Sequence, residues 1–218
     1  MKLNHVGFGK ILGEDGKPFK TRSGDTVKLE DLLDEAEERA LKVVTEKNPE
    51  LPEAQRREIA RVVGLGAVKY ADLLPNRQSD YQFSWDKMLA LQGNTAPYLQ
   101  YAYTRVRSIF RRGQIDVDAL RAQNVAITLA APAERALARQ ILRFSEALDQ
   151  TVSDYRPNQL TAYLFELANS YSTFFEQCPV LKADSPALRD SRLLLCDLTA
   201  RTIRQVLELL GIGVAEQM

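Results

Sequence analysis

The sequence predicts a mainly α-helical protein, in which an antiparallel helical bundle follows a small β-hairpin and further helices. Three observations support this class. Alternating, glycine-containing sequence is confined to the first stretch of the chain. From Leu29 onward, apolar residues recur every three or four positions, which is the helical period. Prolines and small polar residues occur where the apolar stripes begin, and Gly211 follows the last stripe, as is typical of helix ends.

The β-hairpin is predicted in the first 21 residues. His5 to Leu12 alternates around two glycines, and Asp15-Gly16 is a turn dipeptide. Residues 18–21 are then expected to return as a short strand.

Two helices are predicted after the hairpin. The first carries apolar residues at helical spacing from Leu29 to Val44, and the second begins at Pro52, a residue favoured at the first helical position. The break at Gly93-Asn94-Thr95, with Pro97 just beyond it, predicts a domain boundary. We therefore expect one domain over residues 1–92 and a second over residues 93–218.

Four long helices are predicted in the second domain, and short connections between them favour a bundle. They begin near Pro97, Pro132, Pro157 and Ser185-Pro186. Each has an apolar face that we expect to be buried. The faces of the first three comprise Leu99, Ala102, Tyr103, Val106 and Phe110; Leu137, Ile141, Phe144 and Leu148; and Leu160, Leu164, Leu167, Tyr171, Phe174 and Cys178.

The composition is that of an ordinary globular protein, with 45% hydrophobic and 27% charged residues. No apolar run approaches the roughly 20 residues of a membrane span, and no signal peptide is recognisable, so we expect a cytoplasmic protein without a membrane partner. Cys178 and Cys196 lie in apolar helical patterns. We predict that both are reduced core residues, and we predict no metal site.

A loop with three cations and two hydroxyls follows the predicted turn, between Gly16 and Gly24. Such a loop can fold over a triphosphate, because ammonium and guanidinium groups stabilise phosphate charge. Most basic turns, however, are simply solvated. The residues alone leave both interpretations open.

The Pro97 helix carries a second group of polar residues opposite its apolar face. Tyr98, Tyr101, Arg105, Ser108 and Arg112 recur at helical spacing, and residues 105–112 contain four arginines and no acid. Rings stack on unpaired bases and guanidinium groups reach phosphates, so this face suits single-stranded nucleic acid even though the net charge is zero. The alternative is that the tyrosines pack on a neighbouring helix and the arginines are solvated.

Several segments resemble arginyl-tRNA synthetases, and the resemblance extends over essentially the whole chain. The most specific are residues 83–88 (FSWDKM) and 93–102 (GNTAPYLQYA); the others are residues 5–9, 17–24, 26–36, 64–73, 178–181 and 210–212. The resemblance implies that residues 1–92 form the end of a class I catalytic domain. It also implies that residues 93–218 form the all-helical DALR anticodon-binding domain.

The resemblance places the loop at the position of the KMSKS signature, from which it departs at Phe19 and Arg22. In the family's terms, Lys17 and Arg22 are then catalytic ligands of the ATP phosphates, and Thr21, Ser23 and Gly24 shape the loop. The His-x-Gly-His motif that such enzymes need is absent from this sequence, whose one histidine is His5. We therefore expect no cofactor on this chain alone, and ATP with Mg only in a complete enzyme.

For the bundle, the resemblance implies that the Pro97 helix faces the anticodon loop. Tyr98 and Ala102 match positions that approach the bases, and Met218 matches a C-terminal residue that returns toward the anticodon. The predicted tRNA-binding set is Tyr98, Tyr101, Ala102, Arg105, Arg112 and Met218. Tyr171 and Phe174 are expected in the core instead.

The leading functional hypothesis is a monomeric tRNA-binding part of an arginine–tRNA ligase, which recognises the anticodon arm of arginine tRNA. Arginylation is expected only together with a nucleotide-binding domain. Two alternatives stay open: one subunit of a split synthetase, with that domain on a separate chain, and a synthetase-derived helical adaptor that binds other proteins.

Overall fold

The computed structural model describes residues 3–13, 15–17 and 28–218. Most of the described chain is helical, as predicted. In chain order the elements are β1 (Ile11–Leu12), α1 (Leu29–Lys47), α2 (Glu53–Leu73), β2 (Tyr81–Gln82), α3 (Trp85–Met88), α4 (Ala96–Gly113), α5 (Val117–Ala122), α6 (Pro132–Leu142), α7 (Phe144–Asp154), α8 (Asn158–Gln177) and α9 (Pro186–Leu209). Among the described helices, none has the length and apolar character to cross a membrane.

The small sheet differs from the predicted hairpin. Strand β1 pairs in parallel with β2, so that Ile11 lies opposite Tyr81. The Tyr81 amide donates to the Lys10 carbonyl at 3.1 Å, and the Phe83 amide donates to the Leu12 carbonyl at 2.8 Å. The chain does turn at Gly16, which has a φ of 73°, but the return strand predicted at residues 18–21 lies outside the described residues. Alternation marks a segment as extended without identifying its partner, which here comes from much later in the chain.

Helices α1 and α2 pack closely through small side chains. Ala36 and Ala40 of α1 and Ala60 of α2 are fully buried. At Gly64 an added Cβ would lie 2.6 Å from the Ala36 carbonyl oxygen, so a glycine is needed there for the two backbones to approach. Helix α2 begins one residue after Pro52, which is the N-cap residue rather than the first helical residue.

The bundle is built from α4, α6, α8 and α9, and its apolar faces are largely those predicted. All five predicted core residues of α4 and all six of the α8 stripe, including Tyr171 and Phe174, are buried. Two details were wrong. The helix that begins at Pro132 breaks at Arg143 into α6 and α7, and the short helix α5 was not predicted. Neither glycine nor proline marks the break at Arg143, so periodicity alone cannot locate it.

Helix α2 continues into the core of the bundle. The Tyr70 ring is buried among bundle residues, and its hydroxyl lies 2.5 Å from Oδ1 of Asn94 and 3.0 Å from the Thr161 carbonyl. Burial raises the pKa of Tyr70 above its ordinary value. The two predicted domains are therefore in close contact here, and the boundary at residues 92 and 93 stays a prediction.

Both cysteines are buried and unpaired, as predicted for core residues. Burial raises the pKa of the Cys196 thiol to about 12 and also raises that of Cys178. Because the thiolate is the reactive form, neither side chain is suited to nucleophilic chemistry.

Candidate nucleic-acid interface

A groove of about 660 Å³ lies on the outer side of the bundle, and we call it the α4 groove. Its walls are the polar face of α4, the end of α8 with the segment that follows it, and the C-terminal residue. The lining residues are Tyr101, Thr104, Arg105, Ser108, Ile109, Arg111, Arg112, Phe175, Pro179, Val180, Leu181, Lys182 and Met218.

Within the described part of the chain, the charged side chains that line the α4 groove are all cationic. Arg105, Arg111, Arg112 and Lys182 line it, and no acidic side chain does. Across residues 3–13, 15–17 and 28–218, no carboxylate makes a salt bridge with Arg105 or Arg112 at 4.0 Å or less. A concave surface of one charge sign raises the local concentration of oppositely charged ligands, even on a protein of zero net charge.

Three of the predicted tRNA-binding residues lie together in this groove on one face of α4. Tyr101 is 45% exposed, and Arg112, which lies further along the same face of α4, is also exposed. Between them, the Arg105 guanidinium lies 4.3 Å from the centre of the Phe175 ring. This cation–π contact orients a planar cation beside the exposed Tyr101 ring.

Tyr98 and Ala102 do not line the groove. The Tyr98 hydroxyl lies 3.2 Å from Oδ1 of Asn169, and its ring packs edge-on against Phe165, so the side chain is half-buried on α8. Ala102 belongs to the bundle core and is nearly inaccessible, because the helical period places it with Leu99 and Val106. Ala102 is therefore a core residue here, and its approach to a base stays a prediction.

Sequence reasoning missed Phe175 and Lys182. Phe175 lies one position beyond the buried Phe174, so it points away from the core stripe and into the groove. An aromatic residue just off an otherwise complete apolar stripe was the available signal. Lys182 lies in a nonhelical segment, where no periodicity indicates which way a side chain faces.

Met218 reaches the α4 groove because residues 211–218, which we call the C-terminal tail, fold back onto the protein. The Tyr103 hydroxyl donates to Oε1 of Glu216 at 2.6 Å, and Nε of Arg107 donates to Oε2 at 3.0 Å. Partial burial alone would raise the pKa of Glu216, but these two hydrogen bonds and the positive charges of Arg107 and Arg204 together outweigh it and hold the pKa below its ordinary value. Burial, followed by the bond to Glu216, raises the pKa of Tyr103.

The segment that follows α8, which forms one wall of the α4 groove, is held in place by a buried ion pair. Nε of Arg192 donates to Oε1 of the fully buried Glu134 at 2.7 Å, and Nη1 of Arg192 donates to the Pro179 carbonyl at 2.8 Å. The other carboxylate oxygen of Glu134 accepts the Ala131 amide at 2.8 Å. Helices α6 and α9 thereby hold the backbone of the groove wall.

The residues predicted to bind ATP phosphates are only partly described. Lys17 is exposed, its amide donates to Oδ1 of Asp15 at 3.0 Å, and its carbonyl accepts the Gly13 amide at 2.8 Å. Thr21, Arg22, Ser23 and Gly24 lie outside the described residues. The proposed roles of all five stay predictions.

Comparison with known proteins gives the same result at three levels. A family model described as the DALR anticodon binding domain matches residues 99–218, and one described as the catalytic domain of class I (R) tRNA synthetases matches residues 1–85. The arginine–tRNA ligases of Chromobacterium violaceum and Proteus mirabilis are 57% and 54% identical over 100% of this chain. The arginyl-tRNA synthetases of Thermus thermophilus and Plasmodium falciparum superpose on 98% of it, with TM-scores of 0.86 and 0.81 and identities of 32% and 30%.

The chain spans 37% of the length of these two curated relatives and 35% of each of these two solved structures. The match to the anticodon-binding domain covers more than half of the chain and includes every residue that lines the α4 groove. Because sequence, family models and fold agree over nearly its whole length, this chain belongs to the arginyl-tRNA synthetase family.

Proposed function

We propose that this chain binds the anticodon arm of an arginine tRNA, with the anticodon loop in the α4 groove. The observation that carries the proposal is the exposed Tyr101 ring beside Arg105, in a groove whose charged side chains, over the described residues, are all cationic. The unstacked bases of an RNA loop stack on aromatic rings, while arginine and lysine neutralise the phosphates.

The family supports both parts of this proposal. The matching domain is described as anticodon-binding, and the relatives are named arginine–tRNA ligases, so an arginine tRNA is the partner we propose. Translation takes place in the cytoplasm, which is the location that we propose. In a complete enzyme, Lys17 and Arg22 would hold the phosphates of the substrate ATP, with Mg as its counterion.

The tRNA affinity of the 218-residue chain tests the proposal directly. We expect tighter binding of arginine tRNA than of an unrelated tRNA, and a linear fall of log K with log salt between about 50 and 200 mM. Three or four phosphate contacts predict a slope of about −2 to −4. Fluorescence anisotropy with labelled tRNA measures both quantities. Equal affinity for the two tRNAs would refute specific recognition, and a flat salt dependence would refute the phosphate contacts.

A second role, compatible with the first, is docking to a nucleotide-binding domain on a separate chain. Leu3, Phe8 and Leu29 are large apolar residues that are more than half exposed, and all three lie in the catalytic-domain match. Large exposed apolar side chains that form a patch are typical of interaction sites, so this part of the chain is where we expect the other domain to dock.

Mixing this chain with such a domain is expected to produce arginine-dependent exchange between ATP and pyrophosphate, which the chain alone should not catalyse. The reason is that the motif needed to hold ATP is not in this sequence. The same mixture with Phe8→Ser should lose exchange if the apolar surface forms the interface. Full exchange by the chain alone, or none in the mixture, contradicts this role.

A further inference from the structure

Two groups of hydrogen bonds hold the C-terminal tail, whose Ala215 and Met218 side chains also pack against the buried apolar cluster between α1 and α2. At its start, Nε2 of the buried Gln100 donates to the Gly213 carbonyl at 2.8 Å, and Nζ of Lys69 donates to the Gly211 carbonyl at 2.6 Å. Ile212, between these two residues, is part of the bundle core. The first anchor therefore fixes where the tail leaves the bundle, but it acts five residues before Met218.

The second anchor is Glu216, and it lies next to the α4 groove. Besides its two side-chain bonds to Tyr103 and Arg107, its carbonyl accepts Nη1 of Arg111 at 2.8 Å. All three donors belong to α4, the helix that forms one wall of the groove. The groove is closed on another side by Met218, two residues later.

Glu216 also divides the arginines of α4 into two groups. Arg107 and Arg111 are held by its carboxylate and carbonyl, whereas the structure shows no carboxylate of the described residues paired with Arg105 or Arg112. The second pair is thus left for an anionic ligand. A displaced tail would remove Met218 from the groove and release Arg107 as a further cation.

We propose that Glu216 is a positioning residue that latches the C-terminal tail onto α4 and so places Met218 on the wall of the α4 groove. The proposal rests on the proposed tRNA binding, because its functional readout is tRNA affinity. It differs from a second interpretation of the same contacts, in which Glu216 mimics a phosphate and competes with the tRNA for Arg107. The two interpretations predict opposite effects on affinity.

The test substitutes Glu216→Gln, with Glu146→Gln as the matched control. Glu146 is equally exposed, at 54% against 57% of the side chain, and also pairs with an arginine, but it lies on α7 and does not line the groove. We expect the Glu216 change to accelerate amide hydrogen exchange in residues 212–217 by about 5-fold and to weaken arginine tRNA binding by about 3- to 10-fold. The control should change neither quantity.

Deleting Met218 completes a double-mutant cycle. If Glu216 acts through Met218, the deletion alone weakens tRNA binding, and Glu216→Gln adds less in the deleted chain than in the intact one. Tighter tRNA binding by Glu216→Gln would establish competition instead, and unchanged affinity or fully additive losses would overturn the positioning role. If the unaltered chain binds no tRNA, the proposed function is wrong. The amide hydrogen-exchange measurement would still show whether Glu216 holds the C-terminal tail on α4.

Discussion

Replacing Tyr101 by alanine is expected to weaken the binding of arginine tRNA by roughly 5- to 150-fold, without changing the salt dependence. The ring is exposed in the α4 groove, and one base stacked on an aromatic ring contributes about 1–3 kcal/mol. Arg105→Ala, in contrast, should reduce the magnitude of the salt slope by about 0.7–1, because one phosphate contact is lost. Binding titrations of both variants across a salt series separate stacking from charge neutralisation.

Tyr155→Ala is the matched control for Tyr101→Ala. Its side chain is 48% exposed, close to the 45% of Tyr101, but it lies at the end of α7 and does not line the groove. We expect its tRNA affinity to be unchanged. If Tyr101→Ala and Tyr155→Ala bound tRNA equally well, the α4 groove would not be the tRNA site, and the adaptor hypothesis would gain support.

The largest expected effect on stability comes from Arg192→Met. This change leaves the fully buried Glu134 carboxylate without its ionic partner, and an uncompensated buried charge costs about 3–5 kcal/mol. Such a loss is a large part of the 5–15 kcal/mol by which a typical domain is stable. Urea unfolding followed by circular dichroism measures it. The Pro179 carbonyl also loses its donor, so we expect weaker tRNA binding at temperatures where the variant is still folded.

Arg143→Met tests whether burial, rather than the ion pair itself, causes that loss. Arg143 pairs with Glu146 at 3.2 Å, but both side chains are more than half exposed, and such a pair contributes about 0–1 kcal/mol. A similar small loss for Arg192→Met would show that Glu134 finds another partner or becomes protonated without cost.

The buried faces of the helices could be predicted from the sequence more fully than the α4 groove that the helices form. The stripes on α4 and α8 were predicted correctly, because burial repeats with the helical period and most members are large apolar residues. The α4 groove, however, has three walls from distant parts of the chain. The position of Phe175 just off the apolar stripe indicates that it faces away from the core, but neither Phe175 nor Lys182 carries a local signal that it meets α4.

The incorrect strand pairing and the missed break in the Pro132 helix have the same cause. The parallel pairing of Ile11 with Tyr81 depends on a contact that is remote in sequence. The break at Arg143 has no sequence signal that we recognise. In each case the missing information is tertiary rather than local.

The position of the Tyr70 side chain has a consequence for how the protein unfolds. Helix α2 belongs to the first predicted domain, yet its tyrosine fills a site in the core of the second and lies within hydrogen-bonding distance of Asn94 and Thr161 there. A fragment that starts at residue 93 would keep the helices of the bundle but would leave an apolar cavity where the Tyr70 ring packs, and Asn94 and Thr161 would lose the hydrogen bond from its hydroxyl. The unit of cooperative unfolding should therefore be larger than the anticodon-binding match, with α2 melting as part of the bundle.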